Sequence, residues 1–423
     1  MELPEIGENM LARRIVDFFR SATKSVTRST KGGHRLLALT ALTCVIVAAT
    51  GGCCPPPVGP VERPVFVVSG ENVFERSSRS AVHIVDLSSL KTSRSVKLPR
   101  SWVRSPAVDP MGRLWVGLSG DQDRAGKEVW VIEQSGRVRA KIEVGEAPEA
   151  GISFNGGRAY VCCRGTGFSG QVWVVDLESL KVEKVIDLGA GPYEYSFLTA
   201  SAAGERYLVV AANHSPPPGK EGEGAFDLPY GEVFVIDCRS NEIVSRVDLG
   251  PGVAVWDIMP ADGEAFYLIN NAAFQWKMAF GDQGEGPGDI ILFDPAKGVV
   301  KRNYEVGGFP FKAEFLREGV LLIYCRIWSS KYVDQRRALV ELDIPSGRYR
   351  RADLPAGFCG TDMLTIDGKI YFVGSVPEGN SILPKESADG LYTIEAGEAG
   401  SIVPVRVVAI RDASAIAAAP RMR

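Results

Sequence analysis

One pattern returns seven times along the chain: an apolar run that ends in an acidic residue, a short polar turn, and a second apolar run. The stretch from Gln171 to Gly189, QVWVVDLESLKVEKVIDLG, shows the pattern most clearly. The acidic residues that mark the seven copies are Asp86, Glu133, Asp176, Asp237, Asp294, Asp343 and Glu395, separated by 47, 43, 61, 57, 49 and 52 residues. A strand-forming repeat of this length predicts units that stack around an axis or along a line.

A second apolar pair separates successive copies, and turn-forming residues connect its two halves. Asn155-Gly156-Gly157 and Ile366-Asp367-Gly368 are examples, and both are typical of hairpins. A full unit therefore has four short antiparallel strands, which we name a to d. The acidic residue ends strand c.

Strands b and c are apolar on consecutive residues, as in Tyr207–Val210 and Val172–Val175. Such strands need apolar cover on both faces. Sheets packed face to face around a central axis provide it, so we predict an all-β fold, a seven-bladed β-propeller over residues 65–420. The first copy lacks a strand a, and we expect Arg411–Pro420 to close the ring in blade one. The alternative is a frayed tail; residues 421–423 are expected to be a tail in either case.

The N-terminus differs from the repeats. Seven basic residues precede an uncharged run from Leu36 to Ala49, which has the length of a signal-peptide core. We therefore predict an export signal or membrane segment over residues 1–52 and a stiff proline-rich spacer over 53–64. The start lies at Met1 or Met10. The rest of the chain would then be extracytoplasmic and membrane-anchored.

The cysteine that follows this run resembles the acylated residue of bacterial lipoproteins. Small residues precede Cys53, but Thr50 stands where Leu or Val is usual. Lipidation of Cys53, an uncleaved signal anchor and ordinary cleavage all remain open. The formal charge of −3 and the pI near 5.9 give no electrostatic footprint for nucleic acid, which we do not expect as a partner.

The repeat also resembles a known family. RAYVCC, VWVVD, KVIDLG and GAGP, all in the third copy, are similar to the successive pieces of the YVTN repeat. That family comprises seven-bladed propellers of surface-layer and exported bacterial proteins. The resemblance implies the fold rather than an activity, and the irregular spacing of the copies implies blades of unequal length.

The connections between strands b and c, and between d and a, emerge on one face of a propeller. Aromatic residues are frequent there, and they suit a protein or glycan partner. The predicted binding residues are Trp102, Tyr193, Tyr230, Trp276, Phe309, Trp328 and Tyr332. The alternative is that the long connections fold over and pack on themselves.

Three carboxylates stand at a matching offset from the glycine or proline that ends a strand d: Asp257, Glu314 and Asp362. They suggest a calcium site at the channel mouth, since calcium takes oxygen ligands. The alternative is that they are solvated or paired with Arg100, Arg104 and Lys312. No other cofactor is expected.

Histidine is scarce, with three in the chain, which argues against copper and haem chemistry. His214 is the one candidate general base, unless it is a plain surface histidine. The vicinal pair Cys162-Cys163 either forms a disulfide or places its two thiols on opposite faces of a strand. We expect a binding or scaffold module at the cell surface rather than an enzyme. The alternative is a lactonase-like hydrolase or quinone-linked dehydrogenase with its site at the channel mouth.

Overall fold

The structure is a computed structural model. It describes residues 64–69, 80–99, 101–103, 106–120, 124–164, 169–190, 197–214, 230–271, 288–327, 336–355, 359–375, 390–396, 402–410 and 413–418. All of them belong to one compact unit, Pro60–Arg423. The predicted signal segment, the tail and all of the spacer except Pro64 lie outside the described residues. Within the described part, no helix is long and apolar enough to cross a membrane.

The described strands form seven antiparallel sheets of four strands, which confirms the predicted seven-bladed propeller. In the order a to d, blades 1 to 3 are β28 (Ala413–Ala418), β1 (Pro64–Ser69), β2 (Ala81–Asp86), β3 (Lys91–Lys97); β4 (Ala107–Val108), β5 (Leu114–Gly120), β6 (Ala125–Ile132), β7 (Val138–Glu143); and β8 (Ile152–Asn155), β9 (Arg158–Cys163), β10 (Ser169–Asp176), β11 (Val182–Ala190).

Blades 4 and 5 are β12 (Phe197–Ala203), β13 (Tyr207–His214), β14 (Tyr230–Asp237), β15 (Glu242–Pro251); and β16 (Val255–Pro260), β17 (Phe266–Asn270), β18 (Asp289–Asp294), β19 (Val299–Glu305). Blades 6 and 7 are β20 (Phe309–Arg317), β21 (Val320–Ile327), β22 (Arg336–Asp343), β23 (Arg348–Asp353); and β24 (Cys359–Ile366), β25 (Lys369–Ser375), β26 (Gly390–Ala396), β27 (Ile402–Ala409). A 3-10 helix, Asp262–Glu264, connects β16 and β17.

The ring closes where the sequence predicts. Strand β28, from the C-terminal end of the chain, pairs antiparallel with β1, so that Val65 faces Ala418 and Val67 faces Ile416. Ile416 and Ala417 are buried. Blade 1 therefore joins the two ends of the chain.

Apolar residues fill each joint between neighbouring blades. Seven buried clusters occur, one for each pair of adjacent blades, including the pair formed by blades 7 and 1. Cys162 packs in the joint of blades 3 and 4, and Cys163 in the joint of blades 2 and 3. Both are free, buried thiols, and burial raises the pKa of Cys162 to about 12. The placement on opposite faces is thus confirmed over the disulfide.

The acidic residues after strand c hold turns. Asp86 accepts hydrogen bonds from the backbone of Ser88 at 2.9 Å and from the Ser88 hydroxyl at 2.7 Å. Asp176 does the same with Ser179, and these bonds hold the pKa of both carboxyls below the ordinary value. Such bonds are typical of an aspartate that begins a turn. These acids therefore contribute to folding.

The two ends of the propeller differ in their connections. We call the end with the b–c and d–a connections the loop face, and the end with the a–b and c–d turns the turn face. The three longest b–c connections span 215–229, 271–288 and 376–389 in blades 4, 5 and 7, whereas blades 2 and 3 use only 121–124 and 164–168. The connections at the loop face therefore differ in length from blade to blade.

Candidate functional site

Four charged side chains meet along the inner strands of blades 5, 6 and 7. In each of these blades the inner strand carries a β-bulge, and the residue after it is Asp257 in β16, Lys312 in β20 and Asp362 in β24. These three residues pair with Ile269, Tyr324 and Val373 of strand b. Each of these strand-b partners also pairs with a residue of strand c. In all three blades, that residue lies four positions before the acid that ends strand c. The three charged residues are therefore structurally equivalent.

This register corrects one detail of the sequence prediction. Lys312, and not Glu314, is the blade-6 counterpart of Asp257 and Asp362, and Glu314 lies two residues further along β20. The d–a connections differ in length when they are counted between equivalent ladder residues: Asp248 to Val255 and Asp353 to Gly360 each span seven positions, whereas Glu305 to Pro310 spans five. A loop length is not fixed by ladder hydrogen bonds, so counting across it shifts the register.

Both aspartates tie neighbouring blades together. The Asp362 carboxylate accepts the N–H of Met363 at 2.9 Å in its own strand and the N–H of Ile416 at 3.1 Å in the closing strand β28. Asp257 accepts the corresponding N–H groups of Ile258 and of Ala313 in blade 6. One geometry thus connects blade 5 to blade 6 and blade 7 to blade 1.

Lys312 breaks this geometry because a cation cannot accept an N–H. Its ammonium lies 3.4 Å from the Asp257 carboxylate, with side-chain exposures of 33% and 20% for the two residues. The pKa of Lys312 is raised, chiefly by Asp257 and further by Asp362 and Glu314. Lys312 therefore stays charged, paired with Asp257 and attracted electrostatically by the other two carboxylates.

Glu314 differs from the two aspartates. Among the described residues no hydrogen bond to its carboxylate is found. Burial raises its pKa to about 7, against a smaller opposing effect of Lys312. Burial also raises the pKa of Asp257 and Asp362. The cluster therefore combines one fixed cation with a carboxyl group that exchanges its proton near neutral pH.

The opposite wall of the channel carries small residues at the equivalent position. Ala200 occupies it in blade 4, and Gly151 in blade 3. A Cβ on Gly151 would lie 2.5 Å from the Ser201 hydroxyl oxygen, and its φ of +118° also favours glycine. The equivalent positions of blades 3 and 4, as far as the structure describes them, thus carry no charge.

The joint of blades 5 and 6 has a further unpaired polar group. In blade 4, Asn213 donates to the Val255 carbonyl and accepts from the Val255 N–H, both at 3.0 Å. Asn271 is its blade-5 counterpart and is fully buried, yet neither amide atom has a partner among the described residues. The residue equivalent to Val255 in blade 6 is Pro310, which has no N–H to donate.

Packing confirms that these groups are neighbours. A Cβ on Gly288, beside Asn271, would lie 2.3 Å from the Gly308 carbonyl oxygen and 2.4 Å from Pro310 Cδ. Next to this joint, the bulge residues Trp256 and Phe311 stack with ring centroids 6.0 Å apart. Polar and aromatic groups therefore concentrate between blades 5 and 6.

The predicted calcium ligands are not gathered as a metal site in the described residues, where no group of three or more His, Cys, Asp or Glu is placed to hold a metal ion. Lys312 lies among the carboxylates instead. The alternative pairing with Lys312 is thus found for Asp257.

The predicted aromatic binding residues have different outcomes. Trp102 is half-buried, and its backbone bonds to Gly120 and Ser119 place it at the loop face of blade 2. Phe309 is fully buried at the start of β20, so the prediction that it is exposed is corrected. Tyr230 begins β14, but its side chain lies outside the described part. Tyr193, Trp276, Trp328 and Tyr332 lie outside the described residues, as does Cys53.

His214 is not a surface histidine. It is buried, with Nε2 3.3 Å from the Glu232 carboxylate, and Glu232 also accepts from Arg246 Nη2 at 2.9 Å. Burial alone would raise the pKa of Glu232, but the bonds from His214 and Arg246 outweigh it and lower that pKa. The arrangement satisfies a buried carboxylate and leaves His214 without access to solvent.

Sequence reasoning missed three contributors to this region: Trp256, Phe311 and Asn271. Each lies within or beside an apolar strand, where an aromatic or amide side chain reads as core or as a strand end. Only the bulge and the blade-to-blade register reveal their common location.

Comparison with known proteins supports the fold. A candidate 6-phosphogluconolactonase from Bacteroides fragilis has a TM-score of 0.53 and 13% identity, covering 85% of this chain and 99% of its own. A Bacteroides caccae protein of unknown function has a TM-score of 0.43 and 13% identity, with coverages of 84% and 98%. The dihydro-heme d1 dehydrogenase NirN has a TM-score of 0.48 and 15% identity, with coverages of 84% and 75%.

These identities show a shared fold and nothing finer, and only the first similarity has a TM-score above one half. No family model and no curated protein matches the chain. Membership of the YVTN family therefore stays a prediction. What is established is a seven-bladed propeller in which the inner strands of blades 5, 6 and 7 carry charged residues.

Proposed function

We propose that the chain is an exported, membrane-tethered binding module that takes a protein or glycan partner at its loop face. The observation that carries the proposal is the one-sided cluster of Asp257, Lys312, Glu314 and Asp362. Partly buried charged groups are costly in a purely structural role, where apolar residues serve as well. Asp257 and Asp362 lie in blades 5 and 7, which also carry long b–c connections, and this supports a common binding region.

The position of the cluster along its strands agrees with this proposal. Strand a begins at the loop face, and Asp257, Lys312 and Asp362 lie in the half of their strands that is nearer to it. A partner seated on the long connections of blades 4, 5 and 7 would therefore meet the charges at the centre. Half-buried Trp102 lies at the same face.

The test is capture by the full chain held in nanodiscs, probed with a glycan array and by photo-crosslinking to isolated membranes. Trp276→Ala with Trp328→Ala is expected to abolish capture at an unchanged melting temperature. Met111→Ala removes an exposed large side chain at the turn face of blade 2, outside blades 3 to 6, and is the control. Capture that survives the double substitution but is lost in the control would contradict the proposal.

An enzyme at the channel mouth is the second candidate, favoured by Glu314. A carboxyl with a pKa of about 7 beside a permanent cation suits general acid–base catalysis. The chain would be assayed on chromogenic lactones and in quinone-linked oxidation of sugars. Turnover that falls about 100-fold or more in Glu314→Gln would support this candidate, and turnover that is equal in the variant would remove Glu314 from it.

A further inference from the structure

A row of exposed apolar side chains follows the outer edge of the turn face. Seven of the nine large apolar residues that are exposed in the described part lie on strands d of blades 3 to 6. The position six residues after the acid of strand c holds Val182, Ile243, Val300 and Tyr349, with exposures of 36%, 39%, 46% and 47%. The same position holds Thr92 in blade 1 and Arg139 in blade 2. The apolar row is thus confined to one arc of the ring.

Neighbouring blades touch along this arc. Lys184 of blade 3 pairs with Glu242 of blade 4. A Cβ on Gly298 of blade 5 would lie 3.3 Å from Val247 of blade 4, and one on Gly347 of blade 6 would lie 2.6 Å from Arg302 of blade 5. The four exposed residues therefore belong to one continuous edge rather than to scattered positions.

The same edge is basic, although the chain as a whole is not. In blades 3 to 6, the eight residues after each strand-c acid include 9 Lys or Arg and 3 Asp or Glu, against a formal net charge of −3 for the whole chain. The strand-c acids themselves are held by turns and ion pairs, such as Asp294 with Lys301 at 3.2 Å. Basic residues interleaved with exposed Val, Ile and Tyr match the polar and apolar layers of a lipid headgroup region.

The chain also enters the propeller at this face. Pro64 begins β1 and pairs with Asp86, the residue that leads into the c–d turn of blade 1. Blades 3 to 6 lie across the ring from blade 1. The first described residue of the propeller, Pro64, therefore lies at the same face as the apolar arc.

We propose that the turn-face edge of blades 3 to 6 docks on the anionic lipid surface of the membrane that tethers the chain. This inference rests on the tether of the proposed function. It directs the turn face to the membrane and the loop face outward, toward a partner. A basic edge alone is explained by protection against strand pairing, but that role does not account for four apolar residues at one register.

Hydrogen exchange of the full chain in liposomes tests the proposal. Strands β19 and β23 are edge strands, so amides without ladder partners exchange rapidly unless the edge is covered. We expect exchange in Val299–Glu305 and Arg348–Asp353 to be slower by about threefold or more on phosphatidylglycerol-containing liposomes than on pure phosphatidylcholine. About 0.5 M salt should remove the difference.

Val300→Glu with Tyr349→Glu is expected to abolish the protection, and Thr92→Glu, the equivalent position outside the arc, to keep it. Equal exchange on both lipids, or protection that survives the double substitution, would overturn the docking. Flotation separates the two claims. A chain that floats with both lipids but shows no protection keeps the tether and loses the docking. One that floats only with anionic lipid keeps the docking and loses the tether, and one that floats with neither loses both.

Discussion

The joint between blades 4 and 5 and the joint between blades 5 and 6 are built from equivalent positions with opposite results. In the first, Asn213 accepts from the N–H of Val255 and donates to its carbonyl, so both atoms of the amide are satisfied. In the second, Asn271 faces a strand that begins Phe309-Pro310 and has no partner among the described residues. The asparagine side chain therefore stabilises the joint of blades 4 and 5, whereas its equivalent destabilises the joint of blades 5 and 6.

The difference extends to the channel. At the joint of blades 4 and 5, the small Ala200 lines the channel. At the joint of blades 5 and 6, the channel is lined by Asp257, Lys312 and Glu314. A repeat fold can satisfy its joints with one recurring geometry, so departures confined to a few blades indicate a demand other than folding. The joint of blades 5 and 6 is therefore the proposed functional region.

We expect the largest loss of stability where β28 closes the ring in blade 1. Deleting 411–423 removes β28, its ladder to β1 and the partner of the Asp362 carboxylate. We expect the melting temperature to fall by roughly 10 °C or more, or the cooperative transition to disappear. Deleting only 421–423 is the control and should change nothing; an unchanged melting temperature in the longer deletion would contradict closure.

Asn213→Leu breaks the satisfied joint directly. The buried N–H of Val255 loses a partner, and we expect a loss of about 2–4 kcal/mol in the free energy of unfolding. Urea denaturation measures it. A change below about 0.5 kcal/mol would show that the two bonds do not stabilise this joint.

Glu314→Gln tests the charged wall through pH. The folded pKa of about 7 exceeds the ordinary 4.5, so between these values the folded state binds more protons than the unfolded state. Wild-type stability must therefore fall as pH rises through this window. The variant should be more stable than wild type by about 1–2 kcal/mol at pH 8, after allowance for solvent screening, and equal near pH 4.

Asn271→Leu is the matched counterpart of Asn213→Leu and should act in the opposite direction. It replaces two unpaired buried polar atoms with an apolar group of similar size, and we expect a gain of about 1 kcal/mol. A decrease in the free energy of unfolding similar to that of Asn213→Leu would show that the two joints are alike and would contradict the proposed difference between them.

The sequence was sufficient for the fold because the acid that ends strand c recurs at every copy, and because the unpaired b strand at Val65 requires a partner from the other chain end. The blade-6 register was not accessible. The bulge before Lys312 and the unequal d–a connections leave no trace in the apolar pattern. The burial of individual aromatic residues could not be predicted from the sequence either. Phe309 resembles a loop residue because a Gly-Gly pair precedes it, yet it is buried at the start of a strand.

The most direct test of the charged joint is the titration of the Glu314 carboxyl by carbon-13 NMR on protein labelled at glutamate. The Glu314→Gln variant assigns the signal by its absence. We expect the titration of Glu314 to have its midpoint at pH about 7, because the carboxyl is set in the wall of the channel with no hydrogen-bond partner among the described residues. A midpoint at the ordinary 4.5 would mean that Glu314 is solvated like a surface residue, and the channel cluster would lose its claim to be the site.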